Sequence, residues 1–150
     1  MFGFFKKQPP SGPYISSNEI RKALRPYLKR NVWLTDSEYA RINSKTGLEF
    51  LDKIWKEKPY YTRIFECEEF GITTIGKLRE YHAMLYGEGK TGLDCNLPIG
   101  FCSGTKFNGQ KYDHTLVVCV FTDGVFMYDP QSKRSWKASP KTDNFFFAWM

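Results

Sequence analysis

The fold is decided by residues 114–130, which read HTLVVCVFTDGVFMYDP. The apolar, β-branched run His114–Phe121 predicts a buried strand, and Val125–Tyr128 predicts its partner. Asp123-Gly124 between them is a strong signal for a tight turn, so the two strands should form an antiparallel hairpin. Pro130 ends the second strand because proline has no N–H to donate to a ladder.

Working outward, the first half of the chain has helical periodicity and the second half has strand periodicity. Helices are predicted at about 19–29 with Asn18 as cap, at 36–43 after a Thr35/Glu38 capping box, from a Thr46/Glu49 capping box to before Pro59, and at 67–86. Further strands are predicted at 97–102, 135–137 and 145–149, with a polar loop at 103–111. N-terminal helices packed on a C-terminal antiparallel sheet are an α+β fold.

The 150 residues are 41% hydrophobic, which suits one domain with a real core. Residues 1–17 contain three prolines and three serines and are predicted to be a flexible N-terminal arm, leaving 18–150 as the single domain. No apolar run has the length of a membrane span or of a secretory signal. We therefore expect a cytoplasmic protein that does not contact a membrane.

The net charge of +6 raises the hypothesis of a basic nucleic-acid-binding protein. The basic residues are spread out, however, in short clusters such as Lys29-Arg30 and Lys133-Arg134, and no block reaches five. This distribution is typical of a solvated basic surface and does not favour a nucleic-acid partner.

The cysteines are four, Cys67, Cys95, Cys102 and Cys119, and no two have the C-x-x-C spacing of a zinc or redox motif. We expect four thiols, and we expect no metal and no cofactor. Cys102 and Cys119 lie in apolar strand sequence and are predicted to fill the core.

Cys67 is the candidate nucleophile because it alone begins a long predicted helix, where free N–H groups and the helix dipole stabilise a thiolate. The neighbouring Glu66, Glu68 and Glu69 would partly oppose that charge. His82 lies fifteen residues further along the same helix, over about 20 Å away, and cannot pair with Cys67. His114, at the start of the central strand, is therefore the candidate base.

A catalytic imidazole needs a carboxylate or amide to orient it. The predicted hairpin returns Asp129, or with a small register shift Gln131, to the region of His114. The order Cys67, His114, Asp129 is that of papain-like thiol hydrolases. An ordinary buried cysteine and an ordinary Asp-Pro turn are the structural alternatives.

Several short segments resemble the papain-like C-terminal domain of the Marasmius agglutinin type and its small stand-alone phage relatives. The similar segments are Trp33-Leu34, Ile64–Phe70 around Cys67, Leu97–Gly104, Asp113–Val118 and Val125–Gln131. They span about residues 33–137. This sequence departs from the family at Glu66, Thr115 and Asp129, where the family has Asp, Ala and Glu.

The resemblance implies a papain-like cysteine protease with Cys67 as nucleophile, His114 as general base and Asp129 as orienter, acting on a peptide or protein in a host cytoplasm or virion. The Cys67 backbone N–H is the available oxyanion donor. The family's lectin half is absent, so sugar binding and calcium dependence do not carry over. The main hypothesis is a hydrolase of peptide or amide bonds, and the alternatives are a catalytically silent papain-like binding or virion-associated module and a nucleic-acid-binding protein.

Overall fold

Helices on both faces of a mostly antiparallel sheet make up the fold in the computed structural model, which describes residues 12–28, 31–55 and 67–150. The elements in chain order are β1 (Tyr14–Ser16), α1 (Ser17–Leu24), β2 (Val32–Trp33), β3 (Glu38–Ala40), α2 (Ser44–Ile54), α3 (Cys67–Gly87), β4 (Ile99–Phe107), β5 (Gln110–Phe121), β6 (Gly124–Asp129), β7 (Arg134–Lys137) and β8 (Asn144–Trp149). The predicted α+β class is confirmed.

The described strands form a six-stranded sheet in the order β2-β8-β4-β5-β6-β7 and a separate β1-β3 pair. The predicted hairpin of β5 and β6 is confirmed, with Val117 opposite Tyr128 and Phe121 opposite Gly124. Gly124 has φ 136°, a conformation that side chains other than glycine rarely adopt. The tight turn therefore fixes which residue of β6 lies opposite each residue of β5.

The predicted loop at 103–111 is wrong, because β4 and β5 run through most of it. The two strands meet at Asn108-Gly109, where both residues have positive φ, 48° and 79°. Asn-Gly is a strong hairpin signal, and it outweighs the polar composition of the flanking residues. A bulge between Gly104 and Lys106 interrupts the ladder near His114.

Strand β5 is buried on both faces, and its alternation divides the core in two. Leu116, Val118 and Val120 belong to the cluster that also contains the buried α1 residues. Val117, Cys119 and Phe121 belong to the cluster that contains the buried residues of α2 and α3. The predicted burial of Cys102 and Cys119 is confirmed, one in each cluster.

Two helix caps differ from the prediction, although both helices form. α1 is capped by Ser16, whose hydroxyl and Glu19 make a reciprocal capping box, rather than by Asn18. α2 is capped by Asn43, whose side chain accepts from the Thr46 N–H at 2.9 Å. α3 begins at Cys67 as predicted and ends at Gly87.

The predicted helix at 36–43 is wrong. Residues 38–40 form β3, in which Tyr39 is opposite Ile15 and Ala40 is opposite Tyr14. Tyr39 and Ala40 are buried, and the Tyr39 hydroxyl donates to the Met150 carbonyl at 3.2 Å. Long-range pairing and burial outweigh the local capping signal.

The predicted N-terminal arm lies partly outside the described residues, which begin at residue 12. Within it, Tyr14–Ser16 form β1, and Ser17 begins α1. The domain boundary at residue 17 stays a prediction. In the described part of the chain, no helix combines the length and apolar character needed to cross a membrane.

Candidate active site

Cys67 is the first residue of α3, and its side chain is half-buried against β5. Its thiol donates to Glu68 Oε2 at 3.2 Å. Burial and this hydrogen bond raise the pKa of the Cys67 thiol, while interactions with the backbone and hydroxyl of Thr115 act in the other direction. Because the pKa of the thiol is raised overall, the thiol is protonated at neutral pH. This agrees with the expectation that the flanking acids oppose a thiolate.

The contact between α3 and the sheet depends on Gly71. A methyl group added there would lie 3.1 Å from Phe101 Cβ and 3.1 Å from Thr115 Cγ2. One turn later, the buried Thr74 hydroxyl donates to the Phe70 carbonyl at 2.6 Å and accepts from Trp55 Nε1 at 3.0 Å. These contacts hold the start of α3 close to the middle of β5 and so position Cys67 beside Thr115.

His114 directly precedes Thr115 on β5, and its ring is half-buried. The ring centroid lies 5.2 Å from that of Tyr112 and 6.5 Å from that of Phe107. Burial lowers the pKa of the imidazole, and the charges of Asp129 and Glu68 partly oppose the change. His114 therefore lies within electrostatic range of both the acid on β6 and the acid at the head of α3.

Asp129 ends β6, one position beyond the Val117–Tyr128 pair. Its Oδ1 accepts from the Gln131 N–H at 3.0 Å, and its Oδ2 accepts from the Ser132 hydroxyl at 2.6 Å. This is an Asx turn that closes the β6–β7 connection. The carboxylate thus has the role in an ordinary turn that the sequence raised as an alternative. Its charge still affects the pKa of His114.

The structure brings the three predicted site residues to one end of the sheet. Among the described residues, however, it gives no hydrogen bond between Cys67 and His114 or between His114 and Asp129. The thiol is directed to Glu68, and the Asp129 oxygens are directed to Gln131 and Ser132. Their roles as nucleophile, base and orienter stay predictions.

Two residues of this site were missed as partners of the thiol. Thr115 contributes a buried hydroxyl that is 2.8 Å from the Ser103 hydroxyl, and Glu68 is the hydrogen-bond acceptor of Cys67. The run Glu66-Cys67-Glu68-Glu69 contained the signal for Glu68. The only sequence signal for Thr115 as a partner of the thiol is its position next to the candidate base His114.

The other cysteines offer no comparable site. All four are free thiols, and burial raises the pKa of both Cys102 and Cys119 far above the usual range. In residues 12–28, 31–55 and 67–150, no three His, Cys, Asp or Glu side chains lie close enough together to hold a metal ion.

Comparison with known proteins finds similarity in structure rather than in sequence. No family model matches the chain, and no curated protein matches it. The PSL1a-E64 complex is similar, with a TM-score of 0.65 and 16% identity over 92% of this chain and 50% of that chain. Polyporus squamosus lectin bound to the human-type influenza-binding epitope Neu5Aca2-6Galb1-4GlcNAc is similar with a TM-score of 0.63 and 17% identity, over 92% of this chain and 50% of that chain.

The chain thus spans about half the length of the lectin structures that it matches. At this identity the likeness is one of fold. The resemblance to the papain-like domain of the agglutinin type and the phage assignment stay predictions. The chain therefore has an α+β domain fold found in half of a lectin chain.

Proposed function

We propose that this domain is a ligand-binding module whose cysteine site is catalytically silent in the arrangement seen here. The observation that carries the proposal is the hydrogen bond from the Cys67 thiol to Glu68 Oε2 at 3.2 Å. A protonated thiol that points at a carboxylate is a poor nucleophile, because the thiolate is the reactive species.

The state of Asp129 supports the same proposal. An orienting acid has to accept a hydrogen bond from the imidazole, whereas the hydrogen bonds that Asp129 accepts here come from the Gln131 N–H and the Ser132 hydroxyl. His114 is correspondingly held by ring contacts with Tyr112 and Phe107. Cys67, His114 and Asp129 thus lie at one end of the sheet without hydrogen bonds that couple them.

A half-buried aromatic surface next to the cysteine site supports a binding role. It consists of Phe101, Phe147 and Trp149, with the Phe101 ring centroid 5.8 Å from that of Phe147 and 5.5 Å from that of Trp149. The paired hydroxyls of Ser103 and Thr115 lie on the same face of the sheet, since Ser103 is two residues beyond Phe101. Half-buried aromatic rings beside the half-buried Ser103 suit a glycan, which presents C–H faces and hydroxyl groups.

Glycan is the proposed ligand class, and the second structural neighbour supports it because it is a lectin bound to a sialylated trisaccharide. The test is titration of the chain with the trisaccharide bound by the second neighbour, followed by calorimetry and by NMR. We expect saturable binding that Cys67→Ala leaves intact. Phe147→Ala should weaken binding, whereas the matched variant Phe146→Ala, at an exposed ring one residue earlier, should not. Absence of glycan binding would contradict the proposed ligand class.

A cysteine hydrolase is the second candidate, favoured by the position of Cys67, His114 and Asp129 at one end of the sheet and by the similarity to the PSL1a-E64 complex. In this function the Cys67 thiolate attacks a peptide or amide carbonyl, and His114 takes the thiol proton and returns it to the leaving amine. Water then releases the acyl group. Glu68 must first release the thiol, so this function requires a rearrangement of the head of α3.

The hydrolase is tested by incubating the chain with a mixture of denatured proteins and comparing it with Cys67→Ala. New cleavage products that disappear in Cys67→Ala would favour the hydrolase over the silent module. Cys102→Ala is not a suitable control because Cys102 is buried, so Cys95→Ala, at a half-buried cysteine, is the matched variant.

A further inference from the structure

A cavity lies at the opposite end of α3 from Cys67. Its volume is about 400 Å³, which is in the range of small-molecule sites. It lies between the last turns of α3 and the segments at residues 36–38 and 93–96. The fifteen residues from Cys67 to His82 separate it from the cysteine site by over about 20 Å of helix.

The cavity is acidic although the protein is basic. Asp36, Glu38 and Asp94 line it, and Arg79 is the one cationic residue among its lining residues. Three carboxylates and one guanidinium give it a charge of about −2, against +6 for the chain. All three carboxylates lie close to Cys95 at the cavity wall, where, after burial, their charges raise the pKa of its thiol.

Arg79 does not neutralise these acids by direct contact. Its Nη2 donates to the Thr35 hydroxyl at 3.1 Å, and its guanidinium lies 5.2 Å from the centre of the Trp149 ring. Asp94 accepts from the Tyr14 hydroxyl at 2.9 Å, and Asp36 Oδ2 accepts from Asn96 Nδ2 at 2.8 Å. These are neutral donors, so Asp36 and Asp94 have no ion-pair partner among the described residues.

His82 lines the same cavity and is an independent observation that points to a ligand there. It is 7% exposed, and its Nε2 is the buried side-chain polar atom without a hydrogen-bond partner in the described part of the chain. The Leu93 backbone interacts with the ring, and burial lowers the pKa of the imidazole, so the ring is neutral. An unsatisfied buried polar atom is costly, and a donor brought by a ligand would remove that cost.

We propose that this cavity binds the guanidinium or primary ammonium group of an organic cation. The carboxylates attract the charge, and a neutral His82 offers Nε2 as an acceptor when its Nδ1 carries the proton. No three metal-binding side chains of the described residues converge there, which favours an extended organic cation over a metal ion. Tyr86 on the cavity wall adds an aromatic ring that a guanidinium can approach.

The same chemistry has two sources, a free small cation and an arginine side chain of a protein. The test uses agmatine for the first and an acetylated Gly-Arg-Gly amide for the second, with the Gly-citrulline-Gly amide as the uncharged control. Binding is measured by calorimetry at low salt, and nitrogen NMR of the imidazole reports on His82. We expect one-site binding that shifts the His82 Nε2 signal, and the tighter of the two probes identifies the source.

Variants make the outcome specific to the cavity. Glu38→Gln should weaken binding by about tenfold, the value of one charge-assisted hydrogen bond. Glu80→Gln removes the same charge from an exposed position of α3 outside the cavity lining and should leave affinity unchanged. Equal binding of the citrulline and arginine peptides, or no change at His82 with any probe, would overturn the proposal.

Discussion

The thiol of Cys67 donates to the carboxylate of Glu68 across 3.2 Å, which joins the first two side chains of α3. Cysteines at helix starts usually gain reactivity from the free N–H groups there. Here the adjacent Glu68 carboxylate accepts a hydrogen bond from the protonated thiol. Its negative charge therefore opposes the stabilisation of a thiolate by the helix N-terminus.

Glu68→Gln should therefore raise the reactivity of Cys67. We expect the rate of iodoacetamide labelling at neutral pH to increase by about three- to tenfold, because the variant removes a cause of the raised thiol pKa. Mass spectrometry of peptides gives the rate for each cysteine, with Cys95 as internal reference and Glu80→Gln as the matched charge control. If wild-type Cys67 already reacts far faster than Cys95, the silent arrangement is wrong.

Asp143→Ala should destabilise the protein by about 2–4 kcal/mol. The Asp143 carboxylate is 1% exposed, and it accepts hydrogen bonds from four groups, which are Asn108 N–H, Trp136 Nε1, Ser139 N–H and the Thr142 hydroxyl. Its loss leaves buried donors without partners. Urea unfolding measures the change, and Asp113→Ala, at an exposed aspartate of β5, should alter stability by less than about 0.5 kcal/mol.

Gly47→Ala and Gly76→Ala should have opposite effects on stability. A methyl group at Gly47 overlaps the ring of Phe121, which is buried and packed on Phe126, so we expect a loss of about 1–3 kcal/mol. Nothing lies within 4 Å of a methyl group at Gly76 in α3, and alanine there should add about 0.5–1 kcal/mol. Thermal unfolding measures the shift in melting temperature of each variant. Shifts of the same sign in the two variants would contradict this packing.

Stability should fall as the pH is lowered from about 7.5 to 5. Burial lowers the pKa of both His82 and His114 below the unfolded value near 6.5, so the unfolded chain binds protons first. The stabilisation is present above that value and is lost as pH falls through it. Glu19, whose pKa is lowered to about 2, adds a further loss in the same direction at lower pH, because its stabilisation is present above about pH 4.5 and is lost as the pH falls towards 2.

Urea unfolding at several pH values gives the measurement. His82→Phe, which keeps an aromatic ring beside Phe50, should reduce the fall, and the double variant with His114→Phe should reduce it further. A fall of the same size in the double variant would assign the pH dependence to other groups.

The sequence predicts the β5–β6 hairpin and α3 well because their signals are local. Asp123-Gly124 defines the turn, and the boundaries of α3 follow from a helical stripe that begins at Cys67. The strand β3 was missed because its partner, β1, lies more than twenty residues away and its Thr35/Glu38 pair imitates a cap. Local propensity does not register long-range pairing.

For the candidate site, the sequence predicts which helix and strands lie close together, but not the hydrogen bonds between their side chains. Strand order and hairpin register are enough to bring Cys67, His114 and Asp129 to one end of the sheet. The direction of each hydrogen bond depends on competition among nearby partners, and Glu68, Gln131 and Ser132 win that competition by being adjacent in sequence. Sequence spacing alone cannot rank such partners.

The lack of a side chain at Gly71 sets how far the sulfur atom can reach. The helix backbone rests on Phe101 and Thr115 at this point, so one additional carbon would lift the head of α3 away from the strand below it. Glycine therefore allows the shortest distance between helix and strand. Because Gly71 is one helical turn after Cys67, this contact also sets how deeply the Cys67 sulfur lies and where a ligand could reach it.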